Sequence, residues 1–514
     1  MTDPADDPSP RPDSSIDGGL RLEGLDDGVE HLFATRPTTT GGTASPFGDA
    51  REATRRLWSG DTGPLIATGH QATFRHPGIL AKDFVANGLA DALGGRTLRL
   101  LVDQDVHPIG PLQIPLRASS GELRAVGVAC REPHLDAPTG RRPPMELDPE
   151  GPPAGLSREI AAGVDAIGEA LRRESEAPSA ALQVAAAMDA LVEGVAPLPP
   201  SQPATELLST PIGLATLAAI AEAPRACAAT FNEALALDPR AARPLRIEPE
   251  RVEVPLWWIG SNRPRERVHL DPREPATQRL DRLRDAAVAL PSGLAPRGLL
   301  MTGLVRSAAD LFIHGRGGWR YDRVTDRWFA SWLGVALAPM AMVSADLRLP
   351  LGDIGPTREE TRRRWHDPEN AGGRDAIGAG GAGELGGTIG WNRSSGPSPS
   401  KAHDLRAIAA APRGSAARRE AFLAMHRRLA LQRRDRDLDP PPARGSDPVA
   451  IAGRRDWAYP LHAARTISSL AEACERAVRD SVRRTRRPAA DTGGFSPAAD
   501  PAGRSGSRAT RSGR

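Results

Sequence analysis

The sequence predicts an α/β protein whose parallel sheet is assembled from two separated stretches of chain, with a helical insertion between them and further helices behind. Three observations carry this. Residues 64–102 run as apolar strand, polar turn, amphipathic helix and apolar strand, which is one βαβ unit. Polar and glycine residues collect where those strands stop, at Gly69-His70-Gln71 and at Asp103-Gln104-Asp105-Val106-His107. Open parallel sheets bind ligands at the carboxyl ends of their strands. A second corner of the same kind, Asp310-Leu311-Phe312-Ile313-His314-Gly315-Arg316-Gly317-Gly318, follows much later and precedes another apolar run at 340–349.

Taken in order, residues 1–60 are polar, with one short helix expected near 50–58 and loop or disorder over 1–20 and 36–48. Pro64-Leu65-Ile66-Ala67 opens the first strand, and Thr68-Gly69 should end it. His76-Pro77-Gly78 starts a helix, since proline suits a first helical turn. Ile79, Leu80, Phe84, Leu89 and Leu93 then recur near helical spacing until Gly94-Gly95 stops the run. Residues 97–102 form the second strand, and 113–116 and 123–128 look like further strands. A loop over 133–153 leads to amphipathic helices at 159–174 and 179–195. After a proline-rich breaker at 197–203 come helical stretches at 205–208, 211–223 and 227–235. An insertion of this size fits a lid or a second subdomain. Residues 252–259 and 266–270 read as a hairpin, 324–333 as a helix and 340–349 as a strand. Residues 372–399 are Gly/Ser-rich and linker-like, as are 436–453. Helices are expected at 416–434 and 462–482, and disorder beyond 483. The resulting division is 1–60, a first core part 61–155, a helical insertion 156–240, a second core part 241–370, a linker 371–400, a helical region 401–482 and a basic tail 483–514.

Bulk chemistry excludes several classes. A chain of 514 residues can bury a real core. Its 67 basic and 64 acidic side chains leave a formal charge of +3, too small for a global field toward nucleic acid. The basic run Arg483-Arg484-Thr485-Arg486-Arg487 reads as a solvated tail. The Ala, Arg, Gly and Pro excess has the look of GC-rich coding. Cys130, Cys227 and Cys474 stand far apart with no CxxC, so neither structural zinc nor a disulfide framework is indicated, and no metal is expected. The acidic, proline-rich start lacks the features of a signal peptide, and no run of about 18 apolar residues occurs. The expectation is a soluble, cytoplasmic protein without membrane or nucleic-acid partners.

Each polar corner has a functional and a bland reading. In the first, Gly69 permits positive φ or close backbone approach, His70 can contact an anion or shuttle a proton, and Gln71 can hold an amide or hydroxyl. His76 at a helix start, with Lys82 about two turns on, adds free N–H groups and a cation. Lys82 is one of only two lysines in the chain, which suggests chemical choice. The bland reading is a structural histidine. In the acidic turn, alternation puts Asp103, Asp105 and His107 on one face if the strand persists, a set suited to a general base, a divalent cation or an amine. The bland reading is an acidic loop capping a helix. In the third corner, Arg297 is a plausible anion fork, and His314, Gly315, Gly317 and Gly318 can bring N–H groups to a phosphate or carboxylate, or else form a plain flexible turn. Trp319-Arg320-Tyr321-Asp322 could close over the site, or its aromatics could be core. GxxxxGK[ST], a GxGxxG after the first strand and a Gly-x-Ser-x-Gly elbow are all absent. P-loop, standard dinucleotide and serine-hydrolase readings therefore have little support.

Thr68-Gly69-His70-Gln71, His76-Pro77-Gly78, the 102–107 turn and Leu311-Phe312-Ile313-His314-Gly315 resemble a bacterial family seen in planctomycete-type genomes. More distantly, the first two segments resemble the cysteine-adding enzymes of bacillithiol synthesis, the BshC family. The resemblance covers roughly 64–110 and 294–350, with a looser match at Trp365-His366-Asp367-Pro368 and at the late helices. It implies a Rossmann-like parallel-sheet core, connecting helices and a carboxyl-terminal coiled coil, here shortened to 416–434. It also implies a reaction of the kind that joins cysteine to a glucosaminyl-malate. By resemblance, Gly69-His70-Gln71 matches the family's Gly-Gln-Gln or Gly-His-Gln turn, Lys82 a lysine in the following helix, and Asp103 and Asp105 its acidic turn. The chain departs from the distant family in the order Pro77-Gly78 and in Asp-Gln-Asp-Val-His.

The leading expectation is a ligase or transferase acting on a small anionic substrate, sugar- or nucleotide-linked, with no cofactor specified. His70, Asp103 and Asp105 would be catalytic. Gly69, Gln71, His76, Lys82, His107, Arg297, His314, Gly315, Gly317 and Gly318 would bind substrate. A nucleotidyltransferase is one alternative, and a non-catalytic binding or assembly protein that kept the fold is another. The late helices offer a homodimer contact.

Overall fold

The computed structural model describes residues 19–34, 46–60, 63–117, 123–147, 156–260, 264–289, 293–349, 351, 358–369, 399–436, 438, 440 and 447–486. The expectations for 1–18, most of 36–48, most of the 371–400 linker, most of 436–446 and the tail beyond 486 lie outside them. So does the tip of the 252–270 hairpin.

The chain starts with β1 (Leu20–Glu23), α1 (Leu25–Ala34) and α2 (Pro46–Ser59). The expected βαβ unit follows as β2 (Leu65–Gln71), α3 (Pro77–Leu93) and β3 (Arg96–Val102). α3 begins and ends for local reasons. His76 is its N-cap, its Nδ1 accepting from Gly78 N at 2.9 Å, and Pro77 occupies the first turn. Gly94 closes the helix in the left-handed conformation at φ 66°, which only glycine adopts without strain. Two small antiparallel pairs come next, β4 (Leu112–Arg117) with β5 (Leu123–Val128), and β6 (Cys130–Arg131) with β7 (Glu146–Leu147). They stand apart from the main sheet.

The inserted stretch holds α4 (Arg158–Arg173), α5 (Ala180–Ala190), β8 (Ser201–Pro203), α6 (Pro211–Glu222) and α7 (Pro224–Ala234). A hairpin follows as β9 (Val252–Trp258) and β10 (Glu266–Leu270), then α8 (Ala276–Val288) and β11 (Leu294–Pro296), which joins β9. The second half of the core is α9 (Gly298–Ala308), β12 (Leu311–His314), α10 (Asp322–Leu333) and β13 (Met340–Ala345). Last come α11 (Arg358–His366), α12 (Pro399–Ala410), α13 (Ala416–Asp435), α14 (Pro448–Ala452) and α15 (Ala464–Arg486).

The central sheet has six strands in the order β1-β13-β12-β2-β3-β8. All neighbours pair in parallel except β1, which runs antiparallel to β13 at one edge. Strand alternation divides the core between two faces. Ile66, Leu101, Leu311, Ile313 and Val343 belong to the apolar cluster that includes α1, α3, α4, α5 and α15. Leu65, Ala67, Leu98, Leu100 and Phe312 belong to the one that includes α6 to α10 and β9. The sheet is therefore covered on both sides, as parallel sheets are.

Several expectations change here. The insertion is neither lid nor separate subdomain: it supplies edge strand β8 and packs helices against both faces, because residues 201–203 pair with Arg99, Leu100 and Leu101. β2 does not stop at Thr68-Gly69 but pairs with β3 through Gln71. Gly69 lacks a positive φ, and what it provides is closeness: a Cβ there would lie 3.0 Å from Leu100 Cβ. The last helix is not part of an arm. Its Ile467, Leu470, Cys474 and Val478 are buried in the same cluster as α3. Among the described residues no single helix is long and apolar enough to cross a membrane; α6 and its successor pass such a test only as a pair bent by 102°.

Candidate functional site

Three of the parallel strands run in chain order outward from β2 to one side, β2-β3-β8, while β12 and β13 lie on the other. The point where the order reverses is between β2 and β12. A cleft of about 840 Å³ opens there, at the carboxyl ends of these strands. This is where open α/β sheets leave a crevice, because the connections leave adjacent strands toward opposite faces.

The cleft gathers most of the predicted residues. Gly69, His70, Gln71, His76, Lys82, Asp105, Arg297, His314, Gly315, Gly317 and Gly318 all line it. The two polar corners, more than 200 residues apart in sequence, therefore share one space. Asp105 ties one corner to the β9–β10 hairpin: it accepts from Gln71 Nε2 at 2.9 Å and pairs with Arg265 at 2.9 Å.

Asp103 and His107 are corrected. β3 ends at Val102, so the alternation that would have aimed them with Asp105 stops one residue too early. Asp103 turns into the protein, where its carboxylate accepts from Thr205 N at 2.9 Å and Thr205 Oγ1 at 2.6 Å. Burial pushes its pKa up to about 6 against those hydrogen bonds. It anchors the turn after β8, which is the capping reading of the acidic loop. His107 Nε2 lies 3.0 Å from Ala72 O and is outside the cleft lining.

The histidines are held in defined states. His70 Nδ1 sits 2.9 Å from Gln71 O. A carbonyl can only accept, so Nδ1 carries the proton and Nε2 is left as an acceptor. Burial, helped by the nearby Lys82 charge, lowers the His70 pKa well below its ordinary value, so the ring is neutral at pH 7. Burial likewise drops His76 to about 3, with the Arg455 charge second. His314 Nε2 lies 2.9 Å from Asp322 Oδ2 at the start of α10. The ring is seated by Gly318, where a Cβ would fall 1.6 Å from its Cε1. Gly318→Ala is therefore expected to drive the His314 ring off Asp322, seen as a changed imidazole NMR signal; an unchanged signal contradicts this packing.

Cations dominate the walls. Arg297 Nη1 donates to Glu253 Oε1 at 2.5 Å; Glu253 is fully buried and shared with Arg267 at 3.3 Å. Arg297 and Arg265 both place their guanidinium carbons over Trp257, at 4.8 and 4.6 Å from the ring centre. At the other end Arg21, Arg316 and Arg455 share the single carboxylate of Asp346. Arg455 also donates to Ser344 Oγ at 2.6 Å, and burial lowers its pKa to about 10. The amino ends of α3 and α9 both reach the lining, at Gly78, whose N–H is already held by His76 Nδ1, and at Gly298, where the N-cap Arg297 makes no side-chain hydrogen bond to the helix.

Sequence reasoning missed Arg455, Ser344, Arg265 and Trp257. Arg455 comes from a stretch between short helical turns, and no periodicity or motif marks it. Tyr321 and Asp322, from the segment expected to close over the site, both line it. Among the described residues no group of three or more His, Cys, Asp or Glu side chains is placed to hold a metal. No protein-family model matches the chain, and no curated protein matches its sequence.

Proposed function

We propose that this cleft is the active site of an enzyme that transfers a group to or from a small anionic substrate, in the manner of a ligase or transferase. The observation that carries the reading is the convergence of two helix amino ends, Lys82 and the arginines 265, 297, 316 and 455 on a neutral histidine at the sheet's switch point. Anions bind where N–H dipoles and guanidiniums face one space. His70 Nε2, an available acceptor, suits it to take the proton from an attacking hydroxyl or amine. Gln71 and Lys82 orient the substrate, and His314, braced by Asp322, faces the transferred group from β12. Tyr321, 40% exposed at the rim, can cover the apolar face of a sugar or a base. The strand order and site position support a Rossmann-like core, the fold that the distant likeness to the BshC family implies. Two guanidiniums already occupy the Trp257 ring, so stacking on a substrate's sugar or base falls to Tyr321. With α15 committed to α3, a homodimer contact would fall to α12 and α13, where Phe422, Leu423 and Leu431 are exposed.

The test is thermal unfolding of the full chain with a panel of sugar phosphates, dicarboxylates and nucleotides. A ligand that binds only the folded state raises stability by about 2.7 kcal/mol at a hundred times its Kd. Stabilisation by sugar-linked anions is expected, and Arg455→Ala should weaken the best of them about tenfold, the worth of one charge-assisted hydrogen bond. Stabilisation by nucleotides alone would favour the nucleotidyltransferase. Binding that persists in His70→Ala together with an unchanged in-cell effect would favour a non-catalytic protein. No response to any member overturns the reading.

A further inference from the structure

Lys82 stands apart from the other cations of the cleft. It is one of two lysines in a chain that otherwise uses arginine. Where only a fixed positive charge is needed, arginine does the work better, with five donors and a charge it never gives up. Lysine can lose its proton and become a nucleophile. Lys82 is 3% exposed yet lines the cleft, on the inner face of α3 between the ends of β2 and β12. Its Nζ donates to Gly69 O at 2.6 Å, and its Cδ lies 3.8 Å from where a Cβ on Gly315 would be. Among the described residues no carboxylate lies within ion-pair distance of Nζ. Asp83, its neighbour in sequence, instead pairs with Arg75 at 3.5 Å and Arg99 at 3.3 Å.

We infer that Lys82 forms an imine with the carbonyl carbon of an anionic aldehyde or ketone held in this cleft. The neutral amine adds to the carbonyl carbon, and the carbonyl oxygen gains a proton as Nζ loses one. The C–O bond then breaks, water leaves, and a C=N bond remains. His70 Nε2, the free acceptor on the neighbouring strand end, takes the second Nζ proton and gives it to the departing hydroxyl, which leaves as water. No oxidant or reductant is needed. Charge supports the geometry: burial lowers Lys82 to about 8, Asp83 opposing and Arg99 and Arg75 assisting. At pH 7.5 such an amine is neutral roughly two hundred times more often than a lysine at its ordinary value of about 10.4. This step deepens the reading of the same cleft and rests on it for the anionic class of the substrate.

The experiment is to incubate the full chain with pyridoxal 5′-phosphate at pH 7.5, reduce with borohydride, and map the adduct by peptide mass. Lys401, whose Nζ donates to His366 O on the far helices, is the internal comparison. Lys82 should be labelled roughly tenfold faster or more, consistent with its larger neutral fraction. Excess inorganic phosphate should slow it at Lys82 and not at Lys401. Lys401→Arg should leave the Lys82 adduct intact, and Lys82→Arg, which keeps the charge, should abolish it. Labelling of Lys82 no faster than that of Lys401 overturns the proposal. Because adduct formation reads the amine and the anion panel reads the guanidiniums, the two failures are distinguishable.

Discussion

Asp83→Ala is expected to destabilise the fold by about 3–5 kcal/mol, the cost of removing one partner from a buried ion network. Asp83, Arg75 and Arg99 are each at least 96% buried. They form, with Asp189, a group of two guanidiniums and two carboxylates that ties α3 to β3 and α5. Arg99 extends it to β8 by donating to Ser201 Oγ at 2.7 Å, and Arg75 donates to Ala185 O at 3.0 Å. The charges balance as long as all four are present. Deleting Asp83 leaves an excess buried cation with no water to solvate it. Urea unfolding with the slope held common to both proteins measures the loss. A change under about 1 kcal/mol, the range of exposed pairs, would show that this network is solvated instead. The consequence for function is direct, since the network fixes the helix that carries Lys82 and the His76 cap.

Acidification is expected to destabilise the chain by roughly 4 kcal/mol between pH 7 and pH 4. His76 is lowered to about 3 and His462 to about 4, in both cases chiefly by burial. A group whose folded pKa is depressed contributes stability above its unfolded value of about 6.5 and loses it as pH falls toward the folded value. Each histidine therefore costs about 1.4 kcal/mol per pH unit through this window. Asp103 acts the other way. Its pKa is raised to about 6, so its protonation returns stability between pH 6 and about 4. Two histidines over a wider window outweigh one carboxyl, and the depressed His70 adds to their side. The strain falls on one seam, because the charges of His462 and Arg455 both act on His76 where the carboxyl-terminal stretch meets the start of α3. His76→Asn keeps a capping acceptor without a titrating ring, so it should flatten the profile. Thermal unfolding across pH 4 to 7 measures this. A midpoint that is constant or rises toward acid contradicts the assignment.

The βαβ unit was legible because its signals are local. Pro77 in a first turn, Gly94-Gly95 at a helix end and apolar runs on either side do not depend on the rest of the chain. The convergence of His70 and His314 followed from one rule about strand ends. What escaped depends on pairing or distance. β8 is three residues inside a proline-rich stretch and owes its place to the free edge of β3. α1 was passed over although Leu25, Val29 and Leu32 repeat at helical spacing, because polar flanks dominated the window. Asp103 sits beside the site in sequence but beyond the last strand residue, where the chain turns it inward to Thr205. Arg455 could not be read at all: its role arises from Asp346, Arg21 and Arg316 meeting it across the end of β13.

Hydrogen exchange measured with and without the most stabilising anion of the panel probes the shared cleft most directly. Simultaneous slowing at residues 78–82 and 298–302, the two helix starts that enter the cleft from different halves of the chain, is the expected result. Protection at only one of them, or at neither, would mean that the polar corners do not hold a common ligand.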